Sequence, residues 1–190
     1  MASGGDPYTL AFMRTCTAMA WFAALLLLAG GVTRAATPGE AAVGQLLRDT
    51  PLHGLNGPDR RLGQYRGRPL LINVWASWCG PCRQEMASLE RLAWQPGDVP
   101  FTVIGISTDD YRDRALGWLQ SSNATLSHFI DHQLQLETLL GASRIPLTVL
   151  VDERGRVVEK VYGAQEWDGA EARALIRRAF GKGKSASTRP

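Results

Sequence analysis

Leu70 to Leu92 reads LLINVWASWCGPCRQEMASLERL. Leu70 to Ala76 is a nearly continuous apolar run, the pattern of a central strand covered on both faces. A helix-like stretch, Cys79 to Trp94, follows it directly. Phe101 to Ile106 (FTVIGI) reads as a second buried strand. Strand, helix and strand in that order imply a right-handed crossover and a parallel pair.

Further along, Asp113 to Ser122 reads as a helix through Ala115, Leu116 and Leu119, Leu126 to Ile130 as a short extra strand, and Leu134 to Leu140 as another helix. Leu147 to Val151 and Val157 to Val161 are joined by the turn residues Asp152-Glu153-Arg154-Gly155, which predicts an antiparallel hairpin. Ala172, Leu175, Ile176, Ala179 and Phe180 form one apolar helical face, with Asp168 and Glu171 placed like a capping pair. Upstream, Leu52 to Leu55, Asn56-Gly57 and Arg61-Leu62 read as a hairpin that precedes the main fold. The class is α/β: a central mixed sheet flanked by helices.

Trp78-Cys79-Gly80-Pro81-Cys82-Arg83 lies where the first buried strand ends and its helix begins. A sulfur at a helix start lies near unsatisfied amides, which favours thiolate over thiol. The three-residue offset brings Cys82 onto the same turn, where it can attack a mixed disulfide formed on Cys79. A Cys-x-x-Cys pair is also half of a zinc site, but zinc needs two more thiolate or imidazole ligands. Cys16 lies far upstream, and His53, His128 and His132 do not form a second ligand pair. No metal or other cofactor is expected. A loop this short restrains the unfolded chain little, so a chemical role for the pair outweighs a structural one.

The 190 residues are 45% apolar and carry a formal net charge of +3, with no basic stripe that would suggest nucleic acid. One core is expected, in a monomer. Thr15 to Thr33 carries no charge and is bounded by Arg14 and Arg34. Residues 1–36 therefore read as a signal peptide or an N-terminal membrane anchor, with Met13 as an alternative start. Cys16 is a bystander within it. Residues 37–51 read as a linker, 52–180 as the domain and 181–190 as a flexible tail. The domain is expected outside the cytoplasm, where disulfides persist.

Leu70 to Leu92, Ile145-Pro146, Val151-Asp152 with Gly155, and Tyr162-Gly163-Ala164 together resemble the thioredoxin superfamily, specifically its exported TlpA/ResA-like branch. That branch includes thiol reductants of cytochrome c maturation. The resemblance spans about Leu52 to Phe180, with the branch's extra segment between Gly105 and Leu140. It implies a thioredoxin-like fold, a cis bond before Pro146, and a client segment held along Ile145 and Pro146 beside Trp78, Gly80 and Pro81. It also implies that Glu85, one turn beyond Cys82, is a buried carboxylate that takes the resolving thiol's proton. A solvated helix-surface glutamate is the alternative. Thioredoxins carry a buried aspartate where this chain has Asn73, which cannot exchange protons. Many relatives have a proline where this chain has Ala87, which leaves their helix kink in question. Trp75 and Trp78 are candidates for the rim of the site or for plain core, and Arg83 for a thiolate-favouring charge or a solvated one.

Gly80-Pro81 matches reducing thioredoxins, which implies a protein-disulfide reductase. Its partners would be disulfide-containing clients, apocytochrome c among them, and a membrane thiol electron donor. A thiol peroxidase and a copper-binding metallochaperone are the competing functions on the same fold.

Overall fold

The computed structural model describes residues 38–181. The leader with its Met13 start, Cys16 and the tail beyond Gly181 lie outside the described residues. Seven strands run β1 (Pro51–Gly54), β2 (Arg60–Arg61), β3 (Leu70–Trp75), β4 (Thr102–Ser107), β5 (Ser127–Ile130), β6 (Leu147–Val151) and β7 (Val157–Tyr162). The helices are a 3-10 turn at Leu62–Tyr65, α1 (Gly80–Trp94), α2 (Arg112–Ser121), α3 (Gln135–Leu140) and α4 (Ala170–Gly181). The sheet order is β2-β1-β5-β4-β3-β6-β7, with β3, β4 and β5 parallel and the outer pairings antiparallel. This is the expected mixed sheet in a thioredoxin-like arrangement.

Strand β3 is buried along its whole length because it is central and covered on both faces. Leu71 and Trp75 face the core shared with Leu89 and Leu92 of α1, while Leu70, Ile72 and Val74 face the opposite core. Each such fully buried leucine stabilises the fold by about 1.5–3 kcal/mol. Asn73 shares the face of Leu71 and Trp75 by strand alternation, so the one polar residue in the run points at α1.

Three expectations change. The upstream hairpin does not merely precede the fold, since β1 pairs with β5 through His53↔Ile130 and Gly54↔Phe129 and widens the sheet. The helix expected from Leu134 starts at Gln135, because Leu134 sits in the left-handed region at φ 52° and the Asp131 carboxylate accepts from the Gln135 and Glu137 amides. The stretch expected as a linker is packed along residues 41–47. Ala41 and Leu47 are buried, the Gly44 amide donates to Val157, and Leu46 bridges to Arg156. Among the described residues no helix is long and apolar enough to cross a membrane.

Candidate active site

Cys79 is the N-cap of α1, with Pro81 in the first turn. Its sulfur accepts the Cys82 amide at 3.2 Å, satisfying one of the helix's free donors. Cys79 and Cys82 form a disulfide, their Cα atoms 5.3 Å apart. Cys82 is wholly buried and Cys79 is 5% exposed, whereas Trp78, Gly80, Pro81 and Arg83 lie at the surface. The two tryptophans divide. Trp78 is 69% exposed on the rim, and Trp75 is fully buried core.

The loop between β3 and α1 is anchored by a residue that sequence reading passed over. The buried Asp109 carboxylate accepts from the Ser77 amide at 2.8 Å, the Ser77 hydroxyl at 2.6 Å and the Ser107 hydroxyl at 2.8 Å. Its signal is no more than an aspartate just past a strand, a common pattern. The Ile145–Pro146 bond is cis. The Pro146 carbonyl accepts from the Gly163 amide at 2.9 Å, and Gly163 has φ 89°, a region that glycine enters without cost. Ile145 packs against the core that contains both cysteines.

Glu85 is 2% exposed and is not a surface residue. Its Oε1 accepts from Asn73 Nδ2 at 2.7 Å, and its Oε2 accepts from the Gln165 amide at 3.0 Å and from Trp167 Nε1 at 3.1 Å. Asn73 Nδ2 also reaches Thr148 Oγ1 at 3.0 Å, across the directly paired β3–β6 register. Burial pushes the Glu85 carboxyl pKa up, and the bonds from Gln165, Asn73 and Trp167 hold it back. Trp167 and Gln165 are invisible in the sequence as partners of Glu85, because they lie some eighty positions away in the segment before α4. Asp168 in that segment does not serve the capping role read for it. Its carboxylate binds Arg91 of α1, whose guanidinium holds the Asp168 pKa below the usual carboxylate range. Arg83 lies at the surface beside the pair; its amide donates to the Cys79 carbonyl at 3.1 Å, and its guanidinium makes no described hydrogen bond or ion pair. Among the described residues no three His, Cys, Asp or Glu side chains group as a metal site.

Trp75 Nε1 donates to His128 Nδ1 at 3.1 Å, and its ring lies 5.0 Å from that of Trp118. The imidazole fits because residue 105 is glycine; a Cβ there would come within 2.1 Å of His128 Nδ1. Burial lowers the His128 pKa from 6.5 to about 4. Between those values the unfolded chain binds the proton and the folded one does not, so stability falls as pH drops. The loss from pH 7 to pH 4 should reach about 3 kcal/mol. Urea unfolding at pH 7 and pH 4.5 should show a markedly smaller pH dependence in His128→Gln, and an unchanged dependence would place the acid sensitivity elsewhere.

A mixed sheet of this order, with a cysteine pair at the junction of its central strand and a helix, defines a thioredoxin-fold thiol-disulfide oxidoreductase. The Redoxin family model matches residues 42–176, and the chain belongs to that family. The thiol-disulfide oxidoreductase ResA of Geobacillus thermodenitrificans is 30% identical over 124 residues, covering 64% of this chain and 70% of that protein. The thiol:disulfide interchange protein DsbE of Pseudomonas aeruginosa is 33% identical over 127 residues, covering 65% and 68%. A crystal structure described as DsbE of Chlorobium tepidum aligns with a TM-score of 0.68 at 25% identity, covering 74% of this chain and 99% of that one. This chain is a thiol-disulfide oxidoreductase of the ResA and DsbE type.

Proposed function

We propose that the chain reduces protein disulfides outside the cytoplasm, with Cys79 as nucleophile, Cys82 as resolving thiol and Glu85 as proton acceptor. The observation that carries this reading is the buried Glu85, one helical turn beyond Cys82 and held by three N–H donors. In the dithiol form the Cys79 thiolate attacks a client disulfide, bonds to one client sulfur and releases the other as a thiolate. Cys82 then gives its proton to Glu85 and attacks Cys79 Sγ. The mixed disulfide breaks, the second client thiolate leaves, and the Cys79–Cys82 disulfide forms. Two electrons pass to the client, and its released thiolates take protons from solvent.

Client segments lie along Ile145 and Pro146, whose neighbouring strand β6 leads into the site, with Trp78, Gly80 and Pro81 as the opposite wall. No described backbone hydrogen bond uses Ile145, so its amide and carbonyl remain available to an extended peptide. The resemblance to cytochrome c maturation proteins makes apocytochrome c the leading client. An oxidising compartment would leave the pair as the disulfide, so a membrane thiol donor must return the electrons. The domain reaches that compartment through residues 1–36, as a cleaved signal or a retained anchor. Its working form is a monomer, and the cysteine pair is its redox group with no added cofactor.

Acid quenching and alkylation of cells should find the pair mostly reduced when the membrane donor is present and oxidised when it is deleted. A pair oxidised in both backgrounds, in a protein that oxidises reduced clients faster than it reduces disulfides, would replace the reductase by an oxidase.

A further inference from the structure

Glu85 Oε2 meets two groups that can only donate, the Gln165 backbone N–H and the Trp167 indole N–H. Neither can reverse its role by flipping or by changing tautomer, so no proton can settle on Oε2 without facing a donor head-on. Oε1 differs, because its described partner is the side-chain amide of Asn73. An amide can turn to present its oxygen, and Asn73 Oδ1 has no donor among the described protein atoms. Trp167 is itself completely buried and its position is set twice, by the amide that it donates to Ser88 Oγ at 3.0 Å and by the core around its ring. Ser88 lies on α1 one turn beyond Glu85 and donates back to the Glu85 carbonyl at 2.7 Å. The indole is thereby locked to the helix that carries both cysteines and the carboxylate.

We propose that Trp167 is a positioning residue for proton transfer, its indole N–H together with the Gln165 amide saturating Glu85 Oε2 so that the proton from Cys82 is received on Oε1. This rests on the reading of Glu85 as the proton acceptor. The groups bonded to the carboxylate are Asn73 from β3, with Thr148 of β6 behind it, and Gln165 and Trp167 from the segment before α4, while Cys82 lies one turn before it on α1 and Ser88 one turn after. Cys82 is the one titratable side chain in that set, and no charged side chain acts on Glu85 among the described residues. Loss of the indole donor would remove a bond made to the charged form and leave Oε2 open to protonation. The carboxylate would hold its proton to higher pH and accept one from Cys82 only there.

The test is the pH dependence of single-turnover disulfide reduction by the full-length protein. Trp167→Phe keeps an aromatic ring and removes the donor. Its pH of half-maximal rate should rise by about one to two units, the size expected for a hydrogen bond to a charged group. Phe101→Leu, a core truncation at the Phe101–Phe180 pair, should lose stability while keeping the wild-type pH of half-maximal rate. In the unmutated protein, the assigned indole N–H resonance of Trp167 should shift with pH at that same value, a readout that does not depend on any variant folding. An unmoved profile in Trp167→Phe, an equal displacement in Phe101→Leu, or an indole resonance that does not titrate would each overturn the proposal. If Glu85→Gln keeps the wild-type profile, the acceptor reading falls. If Glu85→Gln flattens the profile while Trp167→Phe leaves it in place, the positioning role alone falls.

Discussion

Cys79→Ser is expected to reduce disulfide turnover to background, and Cys82→Ser to accumulate a mixed disulfide with clients through Cys79. The two sulfurs differ in place rather than in kind. Cys79 caps α1, where its sulfur accepts the Cys82 amide and feels the positive end of the helix, so its thiolate is favoured. It borders the exposed Trp78 and Gly80, and a client disulfide can reach it from that side. Cys82 has no exposed surface and meets only a partner already bonded to Cys79. A serine hydroxyl stays protonated at neutral pH and cannot open a disulfide, so no slower route is left in Cys79→Ser. In Cys82→Ser the first step proceeds and the second cannot. Mass mapping of the trapped species should place the client on Cys79. A client found on Cys82, or residual turnover in Cys79→Ser, would reverse the assignment.

Glu85→Gln is expected to slow the resolving step on the order of 10²-fold at neutral pH, the lower end of what a positioned base contributes. The substitution should keep the fold. The new carbonyl oxygen can occupy the Oε2 position and accept from Gln165 and Trp167, and its NH₂ can face an Asn73 amide turned to present Oδ1. Without the carboxylate, Cys82 has no internal acceptor and must lose its proton to solvent, so the residual rate should climb with pH. Stability carries a second signature. The folded pKa of Glu85 lies above its unfolded value, so the folded chain holds the extra proton between the two. The resulting stabilisation is complete below the unfolded value of about 4.5 and is lost as pH rises through the folded one. Glu85→Gln has no such group, and its urea midpoint should decline less than the wild type's over that window. Stopped-flow tryptophan fluorescence, reporting from Trp78 beside the pair, follows the kinetics. A wild-type rate profile in Glu85→Gln would leave the carboxylate a structural residue.

Much of the architecture was legible along the chain because its signals are local. The apolar run at Leu70, the turn residues of Asp152 to Gly155 and the helical period from Ala172 to Phe180 each report an element without reference to any other. The start of α3 shifted by one residue because Asp131, only four positions before Gln135, takes the first amides of the helix. The destination of the upstream hairpin was illegible because its partner β5 is a short strand about seventy residues downstream.

The sequence by itself determined the cysteine pair at a strand-to-helix junction, because residue spacing alone puts two sulfurs on one turn at a helix start. It also determined that Glu85 shares a helical face with Cys82, since a three-residue step nearly completes a turn. Whether that face is wet or buried depends on what covers it. Only the tertiary structure decided this, by laying Asn73 of β3 and the Gln165–Trp167 segment over the carboxylate. The chemistry of a carboxylate is set by its solvation and its donors. Those are supplied here by residues distant in the chain, and so the sequence offered Glu85 as a candidate while the fold gave it its burial and its three N–H donors.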